Sequence, residues 1–122
     1  MADHKHYVSL GQQDGSIMIS EDVIASIAAK AIKEVEGVVD LYAKLSTDII
    51  DILGKKNWNK GIRVLISENN ALTIYCNVIV AYGQDIMAVA KAIQTSVTGS
   101  VEATTGVQVR MVNVNICEIV RK

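Results

Sequence analysis

The fold is decided by residues 72–82, whose sequence is LTIYCNVIVAY. Apolar side chains recur at every second position, which is the period of a β-strand whose two faces meet different surroundings. One predicted face contains Leu72, Ile74, Cys76, Val78 and Val80, and the other contains Thr73, Tyr75, Asn77 and Ile79. The first face is apolar throughout and should pack on helices. The second face is mixed, and it therefore predicts a surface that contacts a partner.

A second strand precedes this one and should form a hairpin with it. Its inward and outward positions alternate as Ile62, Val64 and Ile66 against Arg63, Leu65 and Ser67. The sequence between the two strands, Glu68-Asn69-Asn70-Ala71, is typical of a turn because Asn accepts a positive φ. Residues 62–82 thus predict an antiparallel pair.

Two amphipathic helices flank the hairpin. The first should begin after Ser20 as its N-cap and end at Gly37 in a left-handed conformation. Its apolar stripe, at helical spacing, consists of Val23, Ile24, Ile27, Ala28, Ala31, Ile32 and Val35. The second should be capped by Gln84 or Asp85 and close at residues 104–106. Its stripe consists of Ile86, Val89, Ala90, Ile93, Val97 and Val101.

The remaining segments are shorter. Residues 15–20 predict a strand before the first helix, and residues 107–120 predict a final strand. In the final strand the alternation of apolar residues shifts phase, which predicts a β-bulge near Met111 or a strand that contacts different layers at its two ends. Residues 48–53 favour an additional short helix, followed by a polar, basic connector up to Gly61.

The predicted order is β-α-(α)-β-β-α-β, in which two main helices pack on one face of a small, mostly antiparallel sheet. This arrangement is an α+β domain. The strand–helix–strand unit at its C-terminal end should cross over with a right hand. The 122 residues fit one domain, with residues 1–14 as a flexible N-terminal leader and residues 15–122 as the domain itself.

Composition excludes several classes of protein. The 12 basic and 13 acidic residues leave a net charge of −1, so no overall field attracts nucleic acid. No apolar run approaches the roughly 18 residues of a membrane-spanning helix, and the first 14 residues lack a signal peptide, so we expect a cytoplasmic protein. Half of the residues are hydrophobic, which predicts exposed apolar surface or an oligomer interface.

The sequence indicates no enzyme, cofactor or metal site. His4 and His6 form a pair without further ligands nearby, which favours a disordered tail over a metal centre. No Ser or Cys has a His available within the expected domain, which argues against nucleophilic catalysis. Cys76 and Cys117 lie in apolar strand patterns and are interpreted as small, reduced core residues.

One basic-aromatic segment remains. This basic segment contains Lys55, Lys56, Trp58, Lys60 and Arg63. It could bind the phosphates of nucleic acid or of lipid headgroups, with Trp58 as an anchor. The favoured interpretation is a solvated loop whose Trp folds back onto the core, because a single cluster in a neutral protein is weak evidence for binding.

Two blocks of sequence, in this order, resemble a known family. The first block comprises Gly15–Ser20, Val23-Ile24, Ile27-Ala28, Ala31 and Glu34–Val38; the second comprises Val78–Gly83, Ile86, Val89-Ala90, Ile93-Gln94, Val97, Val101-Glu102, Thr105-Gly106 and Val112–Ile116. They resemble the alkaline shock protein family, also called the envelope stress response family of Gram-positive bacteria. The resemblance covers residues 12–120.

This resemblance implies a cytosolic, non-enzymatic protein linked to cell-envelope homeostasis, without catalytic or cofactor residues. Its implied partners are proteins, because some relatives self-associate and are held near the inner face of the membrane by a separate anchor protein. The chain lacks the long charged tails of some stress-induced members and is similar to the short, bare-domain branch of the family.

Three functions therefore compete. The first is a self-associating interaction or scaffold protein of the envelope stress response. The second is a small domain that binds nucleic acid or a phosphate-rich surface through residues 55–63. The third is a small enzyme whose site is completed between subunits, which the missing catalytic residues disfavour.

Overall fold

A computed structural model describes residues 6–43 and 61–121 of the chain. In chain order its elements are β1 (Tyr7–Gln12), β2 (Gly15–Ser20), α1 (Glu21–Lys33), β3 (Val38–Leu41), β4 (Ile62–Ile66), β5 (Leu72–Ala81), α2 (Ile86–Thr105) and β6 (Val109–Val120). They confirm the α+β class and the predicted order of the main elements. The predicted short helix at residues 48–53 lies outside the described residues.

The central strand of the larger sheet is β5. Along one edge it pairs in parallel with β6, from Leu72 to Ala81. The other edge is shared by two antiparallel strands, because β4 pairs with Leu72–Cys76 and β3 pairs with Val78–Val80. The four-stranded sheet therefore has β3 and β4 end to end along one side of β5. The parallel β5–β6 pair is joined by α2, as a strand–helix–strand crossover requires.

The two helices pack on one face of this sheet. α1 contacts β3 and β4, whereas α2 contacts β6, and the helices also contact each other. The β5 side chains beneath them have no exposed surface, namely Leu72, Ile74, Cys76, Val78 and Val80. Burial of this face confirms the alternation predicted for β5. Removal of these aliphatic side chains from water is the main stabilising contribution to the fold.

Local chemistry sets the helix ends. Ser20 Oγ accepts a hydrogen bond from the Val23 N–H at 3.3 Å, and Asp85 Oδ1 accepts one from the Ala88 N–H at 3.2 Å. Both predicted N-caps are thereby confirmed. α2 ends at Gly106, whose φ of 75° is left-handed, as predicted. α1 ends at Lys33, earlier than predicted, while Gly37 has a φ of 97° at the turn into β3.

The N-terminal residues differ from the prediction of a flexible leader. Tyr7–Gln12 form β1, which pairs antiparallel with β2 as a two-stranded sheet. Val8 is fully buried in the core, and the Glu21 N–H donates a hydrogen bond to the carbonyl of His6 at 2.9 Å. His6 is not part of a disordered tail either, since its Nδ1 lies 3.1 Å from Glu21 Oε2. The prediction failed because only Val8 of the six β1 residues is fully buried, so the sequence shows no clear alternation.

The final strand is interrupted twice. Its register with β5 skips Arg110, between the pairs Leu72–Val109 and Thr73–Met111. This bulge confirms the one predicted near Met111. A second skip, at Cys117, was not predicted. Asn70, in the turn between β4 and β5, has the expected positive φ, here 67°.

Candidate interaction surface

The face of the four-stranded sheet turned away from α1 and α2 is called the outer sheet face. Strand register places on it Arg63 and Leu65 of β4, Thr73, Tyr75, Asn77 and Ile79 of β5, and Met111, Asn113, Asn115 and Glu118 of β6. The four β5 residues predicted as a contact surface therefore do share one face. Thr73, Tyr75 and Ile79 are half-buried, although neither described helix packs against them. They are thus partly accessible and already held by the sheet.

Asn77 departs from this pattern, because only 9% of it is exposed. Its side-chain Oδ1 accepts a hydrogen bond from Asn115 Nδ2 at 2.9 Å. Its backbone N–H donates to the carbonyl of Gly61 at 2.9 Å, and its carbonyl accepts from the Tyr42 N–H at 2.8 Å. Asn77 therefore holds the ends of β3 and β4 beside β5. It has a structural role on the outer sheet face, and its contact with a partner stays a prediction.

Arg63 belongs to the outer sheet face rather than to a loop. It lies directly opposite Tyr75 in the β4–β5 pair and is half-buried. Its Nε is buried and has no hydrogen-bond partner in the part of the chain that the structure describes. The other members of the basic segment, Lys55, Lys56, Trp58 and Lys60, lie outside the described residues, so their role stays a prediction. Arg63 is thus the only member of the basic segment that the structure describes, and it lies on the outer sheet face.

The sequence missed Leu65 and all four β6 residues of the outer sheet face. Met111 is 47% exposed and lies in register with Thr73, while Glu118 is exposed and lies in register with Ile79. The only sequence signal for the β6 residues was the shift in the alternation of apolar residues along the last strand. Each bulge changes which residues share a face, so the faces of β6 cannot be assigned by alternation until both bulges are placed.

The two cysteines differ in environment. Cys76 is fully buried, as predicted, and desolvation with a smaller contribution from Cys117 raises its pKa to about 12. Cys117 is exposed at the second bulge, which corrects its prediction as a core residue. Desolvation also raises the pKa of Cys117, against an opposing hydrogen bond with the Val78 backbone. Both thiols are therefore protonated and weakly nucleophilic near neutral pH.

The described part of the chain offers little else for chemistry. A shallow groove of about 350 Å³ beside α1 is lined by Ala25, Ser26, Ala29, Lys30, Lys33, Glu34 and Ile62. Its charged groups are exposed rather than held in a dry cleft. Over residues 6–43 and 61–121, no three His, Cys, Asp or Glu side chains gather as metal ligands. No helix in those ranges has the length and apolarity needed to cross a membrane.

Comparison with known proteins identifies the family. The uncharacterized protein YloU of Bacillus subtilis is 33% identical over 111 residues, which cover 89% of this chain and 92% of the relative. The uncharacterized protein Spy1614 of Streptococcus pyogenes is 32% identical over 92% of this chain and 93% of its own length. A second Bacillus subtilis protein, YqhY, is 28% identical over 86% of this chain and 77% of its own. No solved structure matches the chain. Residues 9–121 match the model of the alkaline shock protein 23 family, described as having a cell envelope-related function, and the chain belongs to that family.

Proposed function

We propose that this protein is a non-enzymatic interaction module of the cell envelope, which self-associates and binds a protein partner through the outer sheet face. The family description supports the envelope setting. The location that fits is the cytoplasm, at the inner face of the membrane, where a partner protein would hold it.

The observation that supports binding is the composition of the outer sheet face. Arg63 and Tyr75 lie opposite each other on neighbouring strands, and Met111 lies on β6 in register with Thr73, diagonally from Tyr75. Arg, Tyr and Met are enriched at the centres of protein interfaces. Because these side chains are already held by the sheet, a partner restricts little further motion when it binds.

The charge of Arg63 indicates the kind of partner group that this surface accepts. Arg63 is half-buried and lies in register with Tyr75, and a carboxylate that reaches its guanidinium would make a charge-assisted hydrogen bond. An acidic and aromatic segment of a partner protein therefore suits this part of the face.

A photo-crosslinking experiment tests the proposal. A benzophenone amino acid at Tyr75 should give discrete crosslinked protein products in living cells, and the same amino acid at Tyr82 serves as the control. Tyr82 is exposed but lies beyond the end of β5, with the Arg121 guanidinium 5.0 Å from its ring centre. Products should be absent or clearly different at Tyr82.

Two companion variants connect the crosslinks to the surface. Arg63→Glu and Met111→Ala should each reduce the Tyr75 product while the far-UV circular dichroism stays unchanged. Light scattering behind a sizing column tests self-association separately. A protein that remains monomeric at high concentration and gives no product at Tyr75 would contradict the proposed function.

A further inference from the structure

One edge of β6 is unpaired among the described strands, since β6 pairs only with β5. The direction of its backbone groups follows from two hydrogen bonds. The Leu72 N–H donates to the Gln108 carbonyl at 3.1 Å, and the Tyr82 N–H donates to the Val120 carbonyl at 2.7 Å. Even-numbered residues of β5 therefore point their backbone groups at β6. In a parallel pair, only one of two residues in register points its N–H and C=O groups at the other strand. The β6 residues in register with the even-numbered β5 residues therefore point their N–H and C=O groups away from β5, to the unpaired edge of β6.

These outward-pointing residues form the free edge of β6. They are Val109, Val112, Val114, Ile116 and Ile119. All five are β-branched and apolar, which suits a strand that pairs on both sides. No proline blocks a donor anywhere in the chain.

The free edge is symmetric about Val114. The bulge at Arg110 separates Val109 from Val112, and the bulge at Cys117 separates Ile116 from Ile119 by the same spacing. When two copies run antiparallel about a twofold axis at Val114, Val112 faces Ile116 of the other copy, and Val109 faces Ile119. Both bulges then fall at matching places, so the outward groups of Val112, Val114 and Ile116 stay in register, whereas the Val109 N–H is already bonded to Glu102.

In this register, centred on Val114, the side chains that face each other across the two copies are complementary. Arg110 faces Glu118 of the other copy on both sides of the axis, which gives two pairs of opposite charge. Asn113 faces Asn115, an amide opposite an amide. Directly opposed residues of an antiparallel pair have Cβ atoms about 4.5–5.5 Å apart, and opposite charges there are favourable. A shift of the register by two residues places Arg110 opposite Ile116 or Val120 and loses both charge pairs.

Helix α2 already covers one part of the free edge. Gln94 Nε2 donates to the Val112 carbonyl at 3.0 Å, and Glu102 Oε2 accepts from the Val109 N–H at 2.9 Å. Native proteins often shield sheet edges with such contacts to prevent unwanted pairing. Neither contact involves the backbone groups of Val114 and Ile116. A carbonyl oxygen has two lone pairs, so Val112 can still accept a second hydrogen bond from a partner strand, but the Gln94 side chain competes for this acceptor and weakens the pairing.

We propose that β6 pairs with β6 of a second copy of this chain, antiparallel and centred on Val114. The two four-stranded sheets then become one continuous sheet across a self-complementary interface. This inference rests on the self-association proposed above and assigns it to a surface. The two outer sheet faces then lie on the same side of the joined sheet, so a dimer presents Tyr75 and Arg63 twice. A partner that carries two copies of its binding segment would bind such a dimer with higher avidity.

A charge-swap experiment tests the register. Arg110→Glu and Glu118→Arg each place like charges at both contacts and should raise the dissociation constant about tenfold at low salt, equivalent to about 1.4 kcal/mol. Mixing the two variants in equal amounts should restore association, because each new charge then faces its opposite in the other chain. Within one chain the two positions lie eight residues apart along the strand, about 26 Å, so they cannot compensate each other internally.

Analytical ultracentrifugation of the wild type, each variant, the mixture and the double variant measures the effect. Lys33→Glu and Glu36→Arg make the same changes of charge at exposed positions of α1 and the turn after it, and should leave association unchanged. If the wild type associates but the swaps have no effect or the mixture does not recover, the β6 pairing is wrong while self-association stands. A wild type that remains monomeric at high concentration overturns both.

Discussion

Asn115 donates a hydrogen bond across the parallel β5–β6 pair to the side-chain oxygen of Asn77, over 2.9 Å. This contact explains how an asparagine occupies the middle of the central strand. On its other side, the backbone of Asn77 is hydrogen-bonded to the ends of β3 and β4. Its side-chain amide oxygen accepts its hydrogen bond from Asn115 of β6. A polar residue is thereby accommodated where an unpaired one would be costly.

Loss of this donor should weaken the fold. Asn115→Ala leaves the Asn77 oxygen without its donor, and the free energy of unfolding should fall by about 1 kcal/mol. Urea denaturation of Asn115→Ala, Asn77→Ala and the double variant measures the coupling. Removal of both partners should cost less than the sum of the single losses, whereas strictly additive losses would contradict the contact.

Three glycines should respond differently to replacement by alanine. At Gly61 the φ is 85° and an added Cβ would lie 2.7 Å from the Tyr42 carbonyl oxygen, so the loss of stability should exceed about 2 kcal/mol. Gly106 has a φ of 75° without a close neighbour, and about 1 kcal/mol is expected. Gly99 lies inside α2 in open space, so alanine there should stabilise the protein by about 0.5–1 kcal/mol. Thermal unfolding of the three variants checks the order, and equal effects would contradict it.

Stability should depend on alkaline pH through Cys76. Burial raises the pKa of this thiol from 9.0 to about 12, so the folded state keeps a proton that the unfolded state loses in this range. The unfolded state therefore binds fewer protons, and stability falls as pH rises from 9.0 towards 12 by up to roughly 4 kcal/mol. Below pH 9.0 this contribution is constant.

The control for this pH dependence is Cys76→Ala, which lowers stability at every pH by leaving a small cavity but lacks the thiol. Titrating tyrosines and lysines remain the same in both proteins, so the difference between their unfolding curves isolates Cys76. Parallel curves across the alkaline range would show that this thiol ionises as easily in the folded protein as in the unfolded one.

Gln94 should limit pairing of β6. Gln94→Ala releases the Val112 carbonyl, which the paired arrangement uses as an acceptor, so the dissociation constant of the dimer should fall several-fold. Thr95→Ala is a matched control, because Thr95 is the next residue of α2 and is exposed. Sedimentation of both variants compares them; weaker association of Gln94→Ala would mean that its side chain supports the interface instead.

The sequence predicted those elements whose signal is local. The alternation from Leu72 to Val80 identified the buried face, and Ser20, Asp85 and Gly106 marked helix ends through their own hydrogen bonding or backbone preference. β1 was missed because Val8 is its only fully buried residue, so its sequence shows no clear alternation, although its partner β2 is next in the chain. β3 was missed because it has only four residues and pairs with β5, which is distant in sequence.

In the candidate surface, too, the sequence predicted what depends on one strand and missed what depends on pairing between strands. The shared face of Thr73, Tyr75 and Ile79 follows from the period of a single strand and was predicted. The proximity of Arg63 and Met111 to Tyr75 depends on strand order and on the bulge at Arg110, which a single sequence does not specify. Burial of Asn77 depends on Asn115, which lies 38 residues away.

The junction at Asn77 has a consequence for protein engineering. The chain leaves the sheet at Tyr42 and returns at Gly61, and both ends are hydrogen-bonded to the same residue of the central strand. These two hydrogen bonds hold both ends of the intervening chain at one point of the sheet, and lengthening a loop costs little, since each doubling adds only about 0.6 kcal/mol. A reporter peptide or affinity tag inserted there would be displayed from the middle of the molecule without a change in the pairing of any described strand.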